Sequence, residues 1–286
     1  MAFDPSTGQS LLFGGLDGQQ VFGDTWNFDW TTSSWTDMSP EASPPARYGA
    51  GMAFAPLLGS LILFGGIGAD GAYLADTWSW DGVAWTELQP PDSPSPRFAP
   101  AVTYDPALST LVLFGGQSED GSYLGDTWTF DTSWVHETPT RSPCPRRTAT
   151  AFAPHDDQLL LFGGQDATGF YHDTWEYEGT TWHRIRTQDP PQGRVGEVLA
   201  TKRFGILMYG GLGGQSVRSD TVNLRVREWH RTTIIGPPAR TDMGFANTVN
   251  RAAVVLFGGT DGSASFGDTW VFCGNPCTPG TSQGGS

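Results

Sequence analysis

Arginines recur at the ends of short proline-rich stretches: Arg47, Arg97, Arg146 or Arg147, Arg194 and Arg240. A guanidinium carries planar, forked donors. Such a set either grips a carboxylate or hydroxyl-rich ligand, or pairs with loop carboxylates and carbonyls of its own fold. Two acids stand close behind members of the set: Glu197 follows Arg194 by three positions, and Asp242 follows Arg240 by two. Glu197 falls where neighbouring copies of the same stretch have Ala50 or Pro100. Facing one channel, the two acids could serve as an acid/base pair or a cation site; equally, they could pair with Arg194 and Arg240.

Other chemistry is thin. His136, His155, His172, His183 and His230 show no metal-ligand spacing. There is no phosphate loop, Ser-His-Asp order or Glu-x-x-His pair, so neither a metal nor a cofactor is expected. Cys273 and Cys277 flank Gly-Asn-Pro. That turn favours a small-loop disulfide, with two free thiols or a metal short of two ligands as alternatives. A disulfide would imply an oxidising compartment. Cys144 has no evident partner.

The elements that hold these residues follow from composition and repetition. The 286 residues include 38 Gly and 21 Pro and are only 16% charged, which disfavours a helix-rich fold and suggests many short strands. The net charge of −14 repels phosphate backbones, so no nucleic-acid partner is expected. Residues 1–140 carry a net −15 and residues 141–286 a net +1. No apolar stretch is long enough for a membrane span, and the N-terminus lacks a signal-peptide pattern.

An aliphatic run ending in an aromatic and two glycines occurs six times: Phe13-Gly14-Gly15, Phe64-Gly65-Gly66, Phe114-Gly115-Gly116, Phe162-Gly163-Gly164, Tyr209-Gly210-Gly211 and Phe257-Gly258-Gly259. About ten residues later comes Asp-Thr-Trp, ending at Trp26, Trp78, Trp128, Trp175 and Trp270, with Asp220-Thr221-Val222 in the fifth copy. A second tryptophan follows at Trp35, Trp85, Trp134, Trp182 and Trp229. Self-similarity at about 50 residues means stacked supersecondary units. Each unit holds four strand-like segments separated by Asp-Gly turns such as Asp70-Gly71 and Asp120-Gly121. Six such units make an all-β, six-bladed propeller of four-stranded antiparallel blades. Its last blade is expected to have only three strong strands, and so to be incomplete unless the tail adds one, because no second tryptophan follows Trp270. The expected division is a propeller over residues 1–272 and a Cys-containing turn with a Gly/Ser-rich tail over residues 273–286.

Aromatic-Gly-Gly, then Asp-Thr-Trp, then Trp, then Pro-x-x-Arg resembles the Kelch repeat, in the form common in bacterial extracellular proteins and in the central domain of galactose oxidase. The resemblance covers nearly the whole chain. It implies a toroid with the segment after each arginine innermost, and a recognition module on an extracellular or cell-surface protein. It also implies that one loop face binds a protein segment or glycan, with Arg47, Arg97, Arg147, Arg194 and Arg240 doing part of the work. Tyr73, Tyr123 and Phe170, three residues before each Asp of Asp-Thr-Trp, would add exposed aromatic contacts. Phe22, Leu74, Leu124, Tyr171 and Phe266, two before it, are expected in the core. The recurring Asp-Thr is expected to satisfy backbone donors in its turn. Two alternatives remain: an enzyme of sugar-isomerase or lyase/cyclase type using Glu197, Asp242 and arginines in the channel, and a structural unit that self-associates through the open edge of its last blade.

Overall fold

The computed structural model describes residues 1–153, 158–202, 205–232, 236–247 and 253–273, with the side chains of 149–153 and 273 excepted. Among the described residues every regular element is a β-strand. Blade 1 consists of Ala2–Asp4, Gln9–Leu16, Val21–Asp29 and Ser34–Asp37, hydrogen-bonded in chain order. Blade 2 (Gly51–Ala55, Ser60–Phe64, Thr77–Trp80, Trp85–Leu88) repeats that order. So do blade 3 (Ala101–Asp105, Thr110–Gln117, Tyr123–Phe130, Trp134–Glu137), blade 4 (Arg147–Ala153, Gln158–Asp166, Thr174–Tyr177, Trp182–Ile185) and blade 5 (Val198–Lys202, Gly205–Tyr209, Thr221–Arg225, Glu228–Arg231). Blade 6 has three strands among the described residues: Gly244–Asn247, Ala253–Phe257 and Thr269–Cys273. The first strand of each blade touches the first strand of both neighbours, and Ala2–Asp4 meets Gly244–Asn247, so the wheel closes.

Alternation builds the blades and aromatics join them. Second strands such as Leu61-Ile62-Leu63-Phe64 are buried on both faces, as a strand sandwiched between neighbouring blades must be. The fourth-strand tryptophan reaches back into the preceding blade. Trp85 packs on Phe13, Trp134 on Phe64, Trp182 on Phe114, Trp229 on Phe162 and Trp35 on Phe257, with ring centroids 4.9–5.3 Å apart. Most of these pairs are edge-to-face, the geometry the ring quadrupoles favour. The indole N–H then finds the Asp-Thr-Trp threonine of that blade: Trp85 donates to Thr25 Oγ1 (2.9 Å), Trp134 to Thr77 (2.9 Å), Trp182 to Thr127 (3.0 Å) and Trp35 to Thr269 (2.9 Å). The threonine is therefore a buried acceptor between blades rather than a turn residue. Between blades 4 and 5, Trp229 Nε1 and Thr174 Oγ1 are both buried without a partner.

The double glycine has a specific reason. The first glycine lies against the main-chain carbonyl of the next blade's arginine; a Cβ on Gly65 would sit 2.9 Å from the Arg97 oxygen. The second glycine donates its N–H to that same carbonyl: Gly66 to Arg97 (2.9 Å), Gly116 to Arg146 (3.0 Å), Gly164 to Arg194 (2.8 Å) and Gly211 to Arg240 (2.9 Å). Both glycines of each pair have positive φ, a region that side-chain-bearing residues avoid. The expected Cys273–Cys277 disulfide and the tail lie outside the described residues. Cys144 is an exposed free thiol.

Candidate recognition face

The recurrent arginines turn inward. Arg47, Arg97, Arg146, Arg194 and Arg240 are at most 1% exposed. Arg47 spends its donors inside its own blade: Nε on Pro45 O (3.0 Å), one terminal nitrogen on Gly65 O (3.1 Å) and Asp76 Oδ1 (2.6 Å), the other on Asp76 Oδ2 (2.6 Å). The same bidentate fork joins Arg97 to Asp126, Arg146 to Asp173, Arg194 to Asp220 and Arg240 to Asp268, at 2.5–2.7 Å for the shorter contact. In four repeats the tryptophan of Asp-Thr-Trp adds an indole N–H to the carboxylate: Trp78 to Asp76, Trp128 to Asp126, Trp175 to Asp173 and Trp270 to Asp268. Burial raises the pKa of these aspartates, but the guanidinium hydrogen bonds and charge outweigh it, holding Asp76, Asp126, Asp173, Asp220 and Asp268 below the usual carboxylate range. Each arginine thus fastens the inner strand of a blade to its third strand. The expectation that Arg47, Arg97, Arg194 and Arg240 meet a ligand does not fit this burial. In the fourth repeat Arg146 takes the buried position, which leaves Arg147 free for another role.

Asp24 holds Trp26 Nε1 at 2.7 Å and has no arginine partner among the described residues. Tyr171 and Phe266, expected in the core, are half-buried and serve as platforms. The Arg146 guanidinium lies 3.6 Å from the Tyr171 ring centroid, and that of Arg240 lies 4.2 Å from Phe266.

Beyond each double glycine the second strand continues as a short ribbon above the blade. There it pairs with the residue just after the buried arginine on one side and the residue three before the Asp on the other. Directly paired residues point to the same sheet face. Blade 2 contributes Tyr48, Ile67 and Tyr73 to such a row. Blade 3 contributes Phe98, Gln117 and Tyr123, and blade 4 Arg147, Gln165 and Phe170. Blade 5 has Val195, Leu212 and Val217, and blade 6 has Thr241, Thr260 and Ser265. The rows of blades 2–4 touch. Tyr48 and Phe98 meet edge-on at 5.7 Å, the Arg147 guanidinium lies 5.6 Å from the Phe98 ring centroid, and Arg147 donates to Gln165 Oε1 at 3.0 Å. Tyr48, Tyr73, Phe98, Tyr123, Arg147 and Phe170 are all half-buried, with part of each surface open to solvent. The tips above them carry exposed Asp70, Glu119 and Asp120.

The structure therefore brings together four of the residues singled out from sequence, Tyr73, Tyr123, Phe170 and Arg147, and adds Tyr48, Phe98, Gln117 and Gln165. A signal for Tyr48 and Phe98 was present. The position after each buried arginine reads Tyr, Phe, Arg, Val and Thr, and variation at one fixed offset of a regular repeat marks a surface free of the repeat's own packing.

The two acids are neighbours, with Asp242 beside Gly196, but they do not pair. Glu197 is 5% exposed and both carboxyl oxygens lack a hydrogen-bond partner. Burial pushes its pKa up to about 8, with Asp242 adding to the rise and Arg194 and Arg147 opposing it. Asp242 is exposed, with a left-handed φ of 57°. No hydrogen bond joins the acids, and neither carboxylate pairs with Arg194 or Arg240. Among the described residues no three His, Cys, Asp or Glu side chains cluster as metal ligands, and no helix is long and apolar enough to cross a membrane.

No curated protein matches the chain in a sequence comparison. A family model described as the KLHDC2/KLHL20/DRC7 Kelch-repeats domain matches residues 83–259, well over half of the chain. That match agrees with six blades fastened by a repeated Arg–Asp fork, Gly-Gly contact and interblade tryptophan: the chain belongs to the Kelch-repeat family.

Proposed function

We propose that this protein is an interaction module that holds an extended segment of a partner protein across the loop face of blades 2–4. The carrying observation is the contiguous set of half-buried aromatics there, Tyr48, Tyr73, Phe98, Tyr123 and Phe170, interleaved with Gln117, Gln165 and Arg147. Aromatic rings of this kind give large contact area at low entropic cost, and glutamine amides match the donors and acceptors of an extended main chain. Arg147 is braced by Phe98 and Gln165 and offers its remaining donors to an oxygen of the segment. The exposed Asp70, Glu119 and Asp120 around the patch favour a segment with apolar residues flanked by basic ones.

A displayed peptide library selected on the wild-type protein tests this. Winning peptides are expected to carry an apolar core with Lys or Arg flanks. Their affinity should fall more than about tenfold in Tyr123→Ala and in Arg147→Gln, since central aromatic and arginine contacts carry most of an interface's energy. Peptides that bind both variants as tightly as wild type, or a glycan array that responds while the peptide library does not, would overturn the reading.

A further inference from the structure

On the face opposite the aromatic arc, the turn between the first two strands of a blade meets the outer turn of the next blade, because antiparallel strands alternate direction. Thr7 lies against Gly82 in this way, and a Cβ on Gly179 would sit 2.8 Å from a Leu108 methyl. At the boundary of blades 3 and 4 the arrangement leaves a cleft of about 230 Å³. Leu108 and Val135, 38% and 51% exposed, give it aliphatic walls. Thr129, Asp131 and Glu137 line it with oxygens.

The cleft has a cause in the sequence. The residue three after the second tryptophan is Met38 in blade 1, Leu88 in blade 2 and Ile185 in blade 4, and each packs against an apolar cluster at its boundary. Blade 3 has Glu137 there. Its register opposite Thr127, which accepts the Trp182 indole N–H, turns it toward blade 4. Glu137 is half-buried, and its Oε1 accepts the Thr129 hydroxyl at 2.7 Å. Its charge is felt across the boundary: burial pushes the Tyr177 phenol of blade 4 up, and Glu137 and Asp105 push it further. Among the described residues no Arg, Lys or His pairs with Glu137 or Asp131. A carboxylate thus replaces a packing contact and leaves its boundary unfilled.

The next boundary shows what fits such a place. Glu176 of blade 4 stands at the position of Thr129, and Arg227, from the outer turn of blade 5, reaches over it with a terminal nitrogen 3.3 Å from Oε2. Arg227 lies two residues before Trp229, whereas the residue two before Trp182 is Thr180. The outer turn of blade 4 therefore brings no cation to Glu137.

We propose that the cleft between blades 3 and 4 is a second recognition site, which takes an arginine side chain of a partner protein, its stem along Leu108 and Val135 and its guanidinium on Glu137 and Asp131. Long basic side chains lay their methylenes on apolar surface while the head stays polar, and the guanidinium fork matches carboxylate oxygens. The net −15 of residues 1–140 draws basic partners toward this half of the wheel.

The test uses the full chain, followed by amide NMR, and the blocked tripeptide Gly-Arg-Gly beside the same tripeptide with citrulline, which keeps the shape and removes the charge. Gly-Arg-Gly should shift the amides of residues 108–110, 131–137 and 179 saturably, at least about tenfold more tightly than the citrulline peptide, as loss of a charge-assisted contact predicts. Glu137→Gln should weaken it by a similar factor. Thr180→Arg should supply the cation from within the chain, as Arg227 does, and abolish binding of the tripeptide. Unchanged near-ultraviolet circular dichroism of the tryptophans checks that both variants keep the fold. Equal binding of the two tripeptides, undiminished binding in both variants, shifts confined to Tyr73, Tyr123 and Arg147, or the same shifts produced by Ca²⁺ alone would each overturn the proposal.

Discussion

Replacing Glu197 with Gln should change how stability responds to pH. Glu197 is buried with two unpartnered carboxyl oxygens, and its pKa is pushed up to about 8 from an ordinary 4.5. Between those values the native protein holds a proton that the unfolded chain has released. Stability contributed by this group is therefore complete below about pH 4.5 and declines as pH rises, by about 1.4 kcal/mol per pH unit until the native carboxyl ionises. The accumulated loss is about 3 kcal/mol at pH 7 and approaches about 5 kcal/mol above pH 8. Glutamine matches the neutral acid in shape and cannot ionise. Glu197→Gln should thus equal wild type near pH 4.5 and exceed it by the stated amounts at higher pH. The buried Met1 amine is pushed down to about 5 from 8 and pulls the opposite way over the same range, stabilising as pH rises. It is common to both proteins, so the difference between their urea-unfolding curves at pH 5, 6, 7 and 8 isolates Glu197. Parallel pH profiles for the two proteins would refute the reasoning.

Arg97→Met should cost about 3 kcal/mol or more in chemical denaturation, because it strands the Asp126 carboxylate inside the blade with only Trp128 for a partner. The five fork aspartates have depressed pKa values, so the stability they add is present above about pH 4 and is lost as acid protonates them below it. Acid unfolding followed by tryptophan fluorescence should be visibly shallower in Arg97→Met. Thr77→Val, which orphans the buried Trp134 indole N–H, should cost about 1–3 kcal/mol and is read by thermal melting. Gly115→Ala and Gly71→Ala share a positive φ but differ in surroundings. A Cβ on Gly115 collides with the Arg146 carbonyl, whereas one on Gly71 meets open space. Gly71→Ala should cost about 1 kcal/mol for the left-handed backbone alone, and Gly115→Ala several-fold more.

Where sequence and structure agree, the signal was repetition. Phe-Gly-Gly, Asp-Thr-Trp and the second tryptophan each recur at a fixed place because every blade solves the same packing problem, so counting them yields six blades. What repetition could not reveal was which repeated residue meets which. Arg47 and Asp76 look equally available to a ligand in the chain, because nothing local announces that residues 29 apart form one buried fork. Threonine's part as acceptor for an indole roughly 55–60 residues away is equally silent. The choice between Arg146 and Arg147 is decided by which one folds back onto Asp173, 27 residues further along the chain, and that contact is invisible in the local sequence. The proposed recognition face is half legible in the sequence. Tyr73, Tyr123 and Phe170 stand out as exposed-loop aromatics, while Tyr48 and Phe98 look like strand residues until their ribbons are seen.

The fastenings between blades are not spread evenly around the circumference. Among the described residues, each boundary from blade 2 to blade 6 has a glycine amide bound to a neighbouring arginine carbonyl, while the contacts between blades 6 and 1 are Trp35 on Thr269 and a small cluster around Phe28, Ala246 and Val255. Blade 3, at the centre of the aromatic arc, lies diametrically opposite blade 6. Breathing of the wheel should therefore concentrate at the far rim, and amide exchange should slow progressively from blades 6 and 1 toward blade 3. A partner settling on the arc would meet the stiffest part of the molecule and lose little free energy in quieting it, while the looser rim keeps its freedom to open.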